Sequence, residues 1–415
     1  MNGEKPFTIA QGTVLEAWKR VRANKGAAGV DGVSIEQYEQ NLKMNLYKLW
    51  NRMSSGSYFP NPVLGVEIPK KAGGKRLLGI PTVEDRIAQM TARMNFEPMV
   101  EPIFHENSFG YRPNRSALDA VGITRERCWK FDFVIELDIK GLFDNIDHDL
   151  LMQVVKKHTQ EKWVVLYIER WLRASILMPD GKMKDRTMGT PQGGVISPVL
   201  ANLYMHYAFD RWMETQYGHL PWARYADDAV IHCRTEDEAQ KILRRLGTRL
   251  LTCKLQLHPI KTRIVYCKDK DRQADYPNTE FDFLGYTFRG IWMKNRLGRI
   301  QCNFIAAVSK KAVNAMREEI RSWRVKRHSG SDIKMLSDRY NAVLRGWFNY
   351  YGRYCGSAMR VIAEYFNETL ARWARFKYLK LRNSKKRSLD WLKVIARKQS
   401  GLFVHWKQGY LPSMG

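Results

Sequence analysis

The chain has 415 residues, 44% of them hydrophobic and 12% aromatic, and a formal net charge of +27. That composition supports folded domains with real cores and excludes a disordered chain. No run of 18 or more apolar residues is present, so no transmembrane helix is expected, and the opening stretch Met1–Trp18 lacks the apolar segment of a secretory leader.

The charge is unevenly spread. From Ile291 to Gly415, 27 Lys and Arg stand against 7 Asp and Glu, a net +20. The same region is rich in rings, among them Trp323, Tyr340, Trp347, Phe348, Trp373 and Phe376. Cations for phosphates and rings for bases suit a polyanion binder; the expectation is that the rings are mostly core and the charges mostly binding surface. Six cysteines (Cys128, Cys233, Cys253, Cys267, Cys302, Cys355) form no CxxC pair, which argues against a disulfide framework or a zinc ribbon and for a reducing compartment.

Taken in order, residues 12–50 read as helix, turn, helix around the glycine-rich Asn24–Gly32, which lacks the pattern of a phosphate-binding P-loop. Residues 57–81 read as two strands joined by a Gly-Gly turn, carrying Lys70, Lys71, Lys75 and Arg76. A helix follows from Val83 to about Pro102, then a loop with Arg112 and Arg115 leading into a helix that Ser116 could cap. Phe131–Ile139 alternates as a strand, with Phe133, Ile135, Leu137 and Ile139 on one face and Asp138 on the other. Asp147 is placed to cap a helix through Leu151, Val154 and Val155.

In Gly189–Met213 a loop feeds a long helix, with Ser197 read as N-cap, Pro198 as first helical residue, and a buried stripe of Leu200, Leu203, Tyr204 and Tyr207. Trp222–Cys233 reads as a strand–turn–strand hairpin with Asp227 and Asp228 at its tip. Glu236–Leu255 reads as a helix and Phe281–Phe288 as one strand. After about residue 300 only helices are expected, so the domain boundary is set near residues 295–308.

The chemistry centres on carboxylates. Adjacent acids repel unless a cation is near. Asp138 beside Asp227 and Asp228 would make a hard oxygen site suited to Mg²⁺, and two such ions can activate a 3′-hydroxyl and stabilise departing pyrophosphate. Lys70 and Arg76 could hold a triphosphate. Other chemistries lack their signatures: there is no H-E-x-x-H, no G-x-S-x-G elbow and no dinucleotide fingerprint. Cys253 and His258 lie close in sequence without the setting of a nucleophile.

Several stretches together resemble the reverse transcriptase–maturase proteins encoded by bacterial mobile group II introns, over about Val14 to Leu381. They are NKGAAGVDGVS, IPKKAGGKRLLGIPTVEDR, SFGYRPNRSALDAV, ELDIKGLFDNIDHDLL, GTPQGGVISPVLANLYM, RYADDAVI, LQLHPIKTRIV, FDFLGYTF, RGWFNYYGRY and ARWARFKYLKLR, all in the family's order. The resemblance implies an α+β, right-hand polymerase: an N-terminal extension and fingers over 1–130, a palm with an antiparallel sheet over 131–295, an all-helical thumb or maturase domain over 300–400, and a short tail over 401–415.

It also implies roles. Asp138, Asp227 and Asp228 would be catalytic, binding two Mg²⁺ (Mn²⁺ as a substitute) with help from the Ile139 carbonyl. Phe143 would exclude a ribose 2′-hydroxyl. Lys70, Arg76 and Gln192 would bind the incoming nucleotide, and Arg112, Arg115, Lys261, Arg345, Arg372, Arg375 and Lys377 the nucleic acid. The implied function is RNA-directed DNA synthesis together with splicing and retromobility of a group II intron. Implied partners are the intron RNA, an RNA template, a DNA primer or target and dNTPs, with no membrane and a dimer left open; the implied location is the bacterial cytoplasm, near the nucleoid. No paired cysteines of an HNH endonuclease follow Cys355, so no DNA cleavage by the chain itself is expected. Two other readings stay open: an RNA-binding splicing factor without polymerase activity, and a reverse transcriptase domesticated for defence or repair.

Overall fold

The computed structural model describes residues 5–69, 74–294 and 298–413. They divide into two compact units: one holds the chain through Ser116, Leu137–Ile231 and Asp237–Arg263; the other holds Ala117–Glu136, His232–Glu236 and the chain from Ile264 on.

The first unit is built on the helix Val83–Val100, in which Ile87, Ala88, Thr91, Ala92 and Phe96 have no exposure. Thr82 caps it by accepting from the Asp85 N–H. The helix Gln11–Asn24 packs against it and buries Val14, Ala17, Trp18 and Val21, the i, i+3, i+4, i+7 stripe of an amphipathic helix. The second expected helix of residues 12–50 is two, Ile35–Gln40 and Leu42–Ser55, broken at Asn41. The basic hairpin is present as Val63–Pro69 and Lys75–Ile80, antiparallel from Leu64↔Ile80 to Pro69↔Lys75. Val63 and Leu64 also pair in parallel with Ile176 and Leu177. Asp147 caps the helix His148–His158, its carboxylate accepting from the Leu150 N–H at 2.9 Å.

Ser197 does not cap the helix Ser197–Met205. It stands inside the first turn, after Ile196, and its hydroxyl hydrogen-bonds Thr190 Oγ1 at 2.8 Å. The hydroxyl has a better use there: both side chains are buried, so each satisfies the other and ties the preceding loop to the helix. The helix continues into a π-helical turn, His206–Asp210, a departure from regular geometry that often marks a functional site.

In the second unit, Phe281–Phe288 is two strands rather than one. Glu280–Phe283 turns at Leu284 (φ 52°) and Gly285 (φ 81°) and returns as Tyr286–Lys294. Two successive left-handed residues are what a two-residue hairpin turn demands, and the leucine at the first of them hid it. Ile300–Val308 then pairs with Tyr286–Lys294 from Tyr286↔Val308 to Lys294↔Ile300. The expectation of helices alone after residue 300 is therefore corrected; the helices begin at Lys310. Helices Lys310–Ser322, Ile333–Tyr351, Arg360–Lys377 and Lys385–Lys398 enclose Leu336, Leu344, Phe366, Leu370 and Trp373. Residues beyond 400 join the same core, with Phe403 and Trp406 buried. The rings are largely interior, as expected; Phe376, 69% exposed, is an exception. Among the described residues no helix is long and apolar enough to cross a membrane.

Candidate active site

The expected hairpin forms from Trp222–Tyr225 and Asp228–Cys233, with Tyr225 opposite Asp228, so Ala226 and Asp227 make the turn. Ala226 takes φ 56°, a left-handed conformation that an alanine adopts only when its surroundings enforce it. The enforcement comes from below. Arg224, with no solvent exposure, donates to the Ala226 carbonyl at 3.1 Å. The same nitrogen also donates to Asn202 Oδ1, and the other two donate to both Asp210 carboxylate oxygens at 2.7 and 2.6 Å and to Ser108 Oγ. From the side, the loop Asn107–Gly110 bonds to both backbone groups of Arg224. Gly110 lies so close that an added Cβ would come 2.5 Å from the Ala226 nitrogen.

Asp138 arrives on the strand Phe133–Asp138, and the Ile139 N–H donates to the Asp227 carbonyl at 3.3 Å. The strand end and the turn are thereby neighbours, and Asp138 and Asp227 come within electrostatic reach. Burial raises the Asp227 carboxyl above the ordinary range, and the Asp138 charge raises it further; its own backbone N–H, Arg76 and Lys261 oppose this. Lys261 donates to Asp138 Oδ2 at 2.7 Å, and that bond raises the lysine amine above its ordinary value. A cation thus already sits on one of the carboxylates. Among the described residues no three His, Cys, Asp or Glu side chains are gathered as a metal-binding group. The donors nevertheless suit a hard divalent ion: carboxylate oxygens, partly withdrawn from water, whose mutual repulsion a dication would relieve.

Phe143 lies in a short helical turn, Leu142–Asn145, and is buried. Its carbonyl accepts from the Thr190 N–H at 2.7 Å, and its ring meets Tyr111 edge-on with centroids 6.4 Å apart. Tyr111, half-exposed, also touches Tyr225. Gln192 connects two elements: its side chain accepts from Arg76 and donates to Asp144, with Asp144 oxygens at 3.2 and 3.3 Å. Its carbonyl accepts from Gly79 at 2.9 Å, and a Cβ on Gly193, which has φ 126°, would stand 2.5 Å from the Gly79 carbonyl oxygen. Arg76, Gln192 and Asp144 are thus one chain of contacts. Lys70 lies outside the described residues.

The residues expected to bind nucleic acid divide. Arg112 is turned inward, ion-paired with Glu101 at 2.8 Å and donating to the His105 and Ser108 carbonyls, so its charge is used to hold its own loop. Lys377 donates to the Ser329 and Ser331 carbonyls, and Lys261 is on Asp138. Arg115, Arg345 and Arg372 are exposed and Arg375 half-buried. Sequence reasoning passed over Arg224, Asp210, Tyr111 and Asp144. An arginine within the apolar strand WARY was the available signal for the first, since a buried charge needs a partner.

A family model described as reverse transcriptase (RNA-dependent DNA polymerase) matches residues 68–288, just over half of the chain. A second, described as the group II intron maturase-specific domain, matches 313–391. Protein YkfC of Escherichia coli (strain K12) is 31% identical over 332 residues, covering 69% of this chain and 82% of that protein. The group II intron-encoded protein LtrA of Lactococcus lactis subsp. cremoris is 34% identical over 191 residues, covering 46% of this chain and 32% of that protein. A solved telomerase from Candida albicans, in complex with a telomeric RNA fragment, covers 91% of this chain and 68% of its own at 10% identity and a TM-score of 0.46, too distant to add to the assignment. The fold is α+β, of the right-hand polymerase class. The chain belongs to the reverse transcriptase family of RNA-directed DNA polymerases and carries a group II intron maturase-specific domain.

Proposed function

We propose that the chain copies RNA into DNA at Asp138, Asp227 and Asp228 by two-metal nucleotidyl transfer, and acts with a group II intron RNA as its maturase in splicing and retromobility. The observation that carries the reading is the Ile139-to-Asp227 backbone bond, which sets the end of one strand beside the acidic turn. Asp138, Asp227, Asp228 and the Ile139 carbonyl would hold two Mg²⁺, or Mn²⁺ in their place; bound there, the ions would lower the pKa of a primer 3′-hydroxyl and offset charge on the leaving pyrophosphate. In the reaction the 3′-oxygen bonds to the α-phosphorus as the bond to pyrophosphate breaks. Arg76, steered by Gln192, offers a charge-assisted donor to the triphosphate, and Asp144 holds the other end of the glutamine amide. Lys70 belongs to the same proposal by its place in the basic stretch of sequence that also holds Arg76. Phe143 closes the sugar pocket against a 2′-hydroxyl; its burial and its carbonyl bond to Thr190 keep the ring from yielding.

The residues 1–130, 131–295 and 300–400 would serve as fingers, palm and thumb, with intron RNA held by the basic helices, in the bacterial cytoplasm. Primer extension tests the reading: an RNA template with annealed DNA primer, dNTPs and Mg²⁺, with Asp227→Ala in parallel. Extension that disappears in the variant is expected. Absence of extension by a folded, RNA-binding protein would favour a splicing factor without polymerase activity.

A further inference from the structure

The helical part of the second unit contains a cleft of about 670 Å³, within the roughly 300–1,000 Å³ of ordinary ligand sites. Its walls are the end of the helix Lys310–Ser322, the turn Val325–Arg327, and the helix Arg360–Lys377 with the residues after it. Six cations line it, Arg321, Arg324, Lys326, Arg372, Arg375 and Arg382, and no carboxylate does. Two of the six have distant acidic partners outside the lining, Glu318 and Glu368, each at 3.9 Å. The other four have none within ion-pair distance among the described residues. The Arg375 Nε is buried without a hydrogen-bond partner. A donor withdrawn from water and left unused costs stability unless something binds there.

Beside these charges stand two apolar side chains that the core does not claim. Phe376 is 69% and Leu379 83% exposed, and the Lys326 ammonium lies 5.9 Å from the Phe376 ring centre. On an otherwise well-packed set of helices, an exposed ring among unpaired cations matches one ligand chemistry: phosphate with an accessible base face. A duplex would engage the arginines but hide its base faces in its own stack, leaving Phe376 without a partner.

We propose that this cleft binds an unpaired segment of RNA, its phosphates on Arg324, Arg375 and Arg382 and one base on Phe376. The inference rests on the maturase reading for the choice of RNA and adds to it a place and a preference for single strands.

The test is fluorescence anisotropy with the full chain, without nucleotides. The probes are an oligouridine of about 12 nucleotides, inside the ~4–16 nucleotides of known single-strand sites, an RNA duplex of equal length, and the matching oligothymidine. Phe376→Ala is expected to weaken oligouridine binding about tenfold and leave the duplex unchanged. Arg324→Gln with Arg382→Gln is expected to weaken it further and to flatten the salt dependence by roughly 0.7 per lost phosphate contact. Phe376 is surface-exposed, so its removal leaves the core intact, and unchanged melting verifies that. Unchanged oligouridine binding in both variants, equal loss on duplex and single strand, or equally tight oligothymidine binding would overturn the proposal. Because the readout involves no synthesis, an inactive polymerase site leaves the result standing, and an active one does not rescue a flat result.

Discussion

Arg224 and Asp210 face each other without solvent exposure on either side chain, joined at two points 2.7 and 2.6 Å long. The same guanidinium holds the carbonyl of Ala226, one residue before the acidic Asp227. A buried ion pair of this kind is weak evidence for stability; here its bond to the Ala226 carbonyl ties it to the acidic turn. Arg224→Met alone strands a buried carboxylate and is expected to cost about 3–5 kcal/mol. Adding Asp210→Leu removes that penalty, so melting should recover largely in the double variant. Primer extension should not recover, because the side-chain bond to the Ala226 carbonyl, one of the contacts that hold the turn in its left-handed conformation, is then gone. Recovery of both together would show that Arg224 is only structural filling.

Phe143 makes a separable prediction. Truncating a buried phenylalanine costs about 3–5 kcal/mol, so the rate of Phe143→Ala by itself says little. The informative quantity is the ratio of ribonucleotide to deoxyribonucleotide incorporation by the same sample, which cancels the folded fraction. That ratio is expected to rise at least tenfold. A ratio equal to the parent's would remove Phe143 from the sugar pocket.

On the proposed two-metal reading, Lys261 and a divalent ion would compete for the same oxygen, since the ammonium is 2.7 Å from Asp138 Oδ2. Lys261→Gln takes away the competitor while keeping a neutral hydrogen-bonding group. The expected outcome is a larger rise in melting temperature on adding Mg²⁺ than in the parent chain, from tighter binding to the folded state. A rise no larger than the parent's would mean that the ammonium and the ion do not share the site.

Three of the buried histidines, His206, His232 and His405, set an acid limit on stability. Burial holds His206 down to about 4, and His232 and His405 down to about 3. Each is neutral when folded and binds a proton near pH 6.5 when unfolded. The unfolded chain therefore takes up more protons below about pH 6.5, and stability present above that value is lost as the pH falls toward 4 and 3. At pH 5 the loss is about 2 kcal/mol for each histidine. Denaturant melts at pH 7.5 and 5.0 measure it, and His232→Asn should reduce the difference. An equal midpoint at the two pH values would contradict the assignment.

Local rules made much of the chain legible. The alternation of Phe131–Ile139 and the Asp147 cap depend on near neighbours, and each formed where those neighbours place it. Ser197 and the Leu284 turn were misread for one reason: distant or unusual conformations outweighed local preference. A hydroxyl that resembles a cap bonded Thr190 instead, and a leucine accepted a conformation that glycine or asparagine ordinarily takes.

The sequence alone determined which chemistry was at hand, because carboxylates, cations and rings keep their properties in any fold. Only the tertiary structure decided which of them meet. It set Lys261 on Asp138, used Arg112 to satisfy carbonyls of its own loop and Lys377 to satisfy the distant Ser329 and Ser331 carbonyls, placed Arg224 beneath the acidic turn, and left Phe376 exposed beside Lys326. Those outcomes follow from contacts between residues far apart in the chain, and burial, which turns a charge from solvated decoration into a structural demand, arises only once those contacts close.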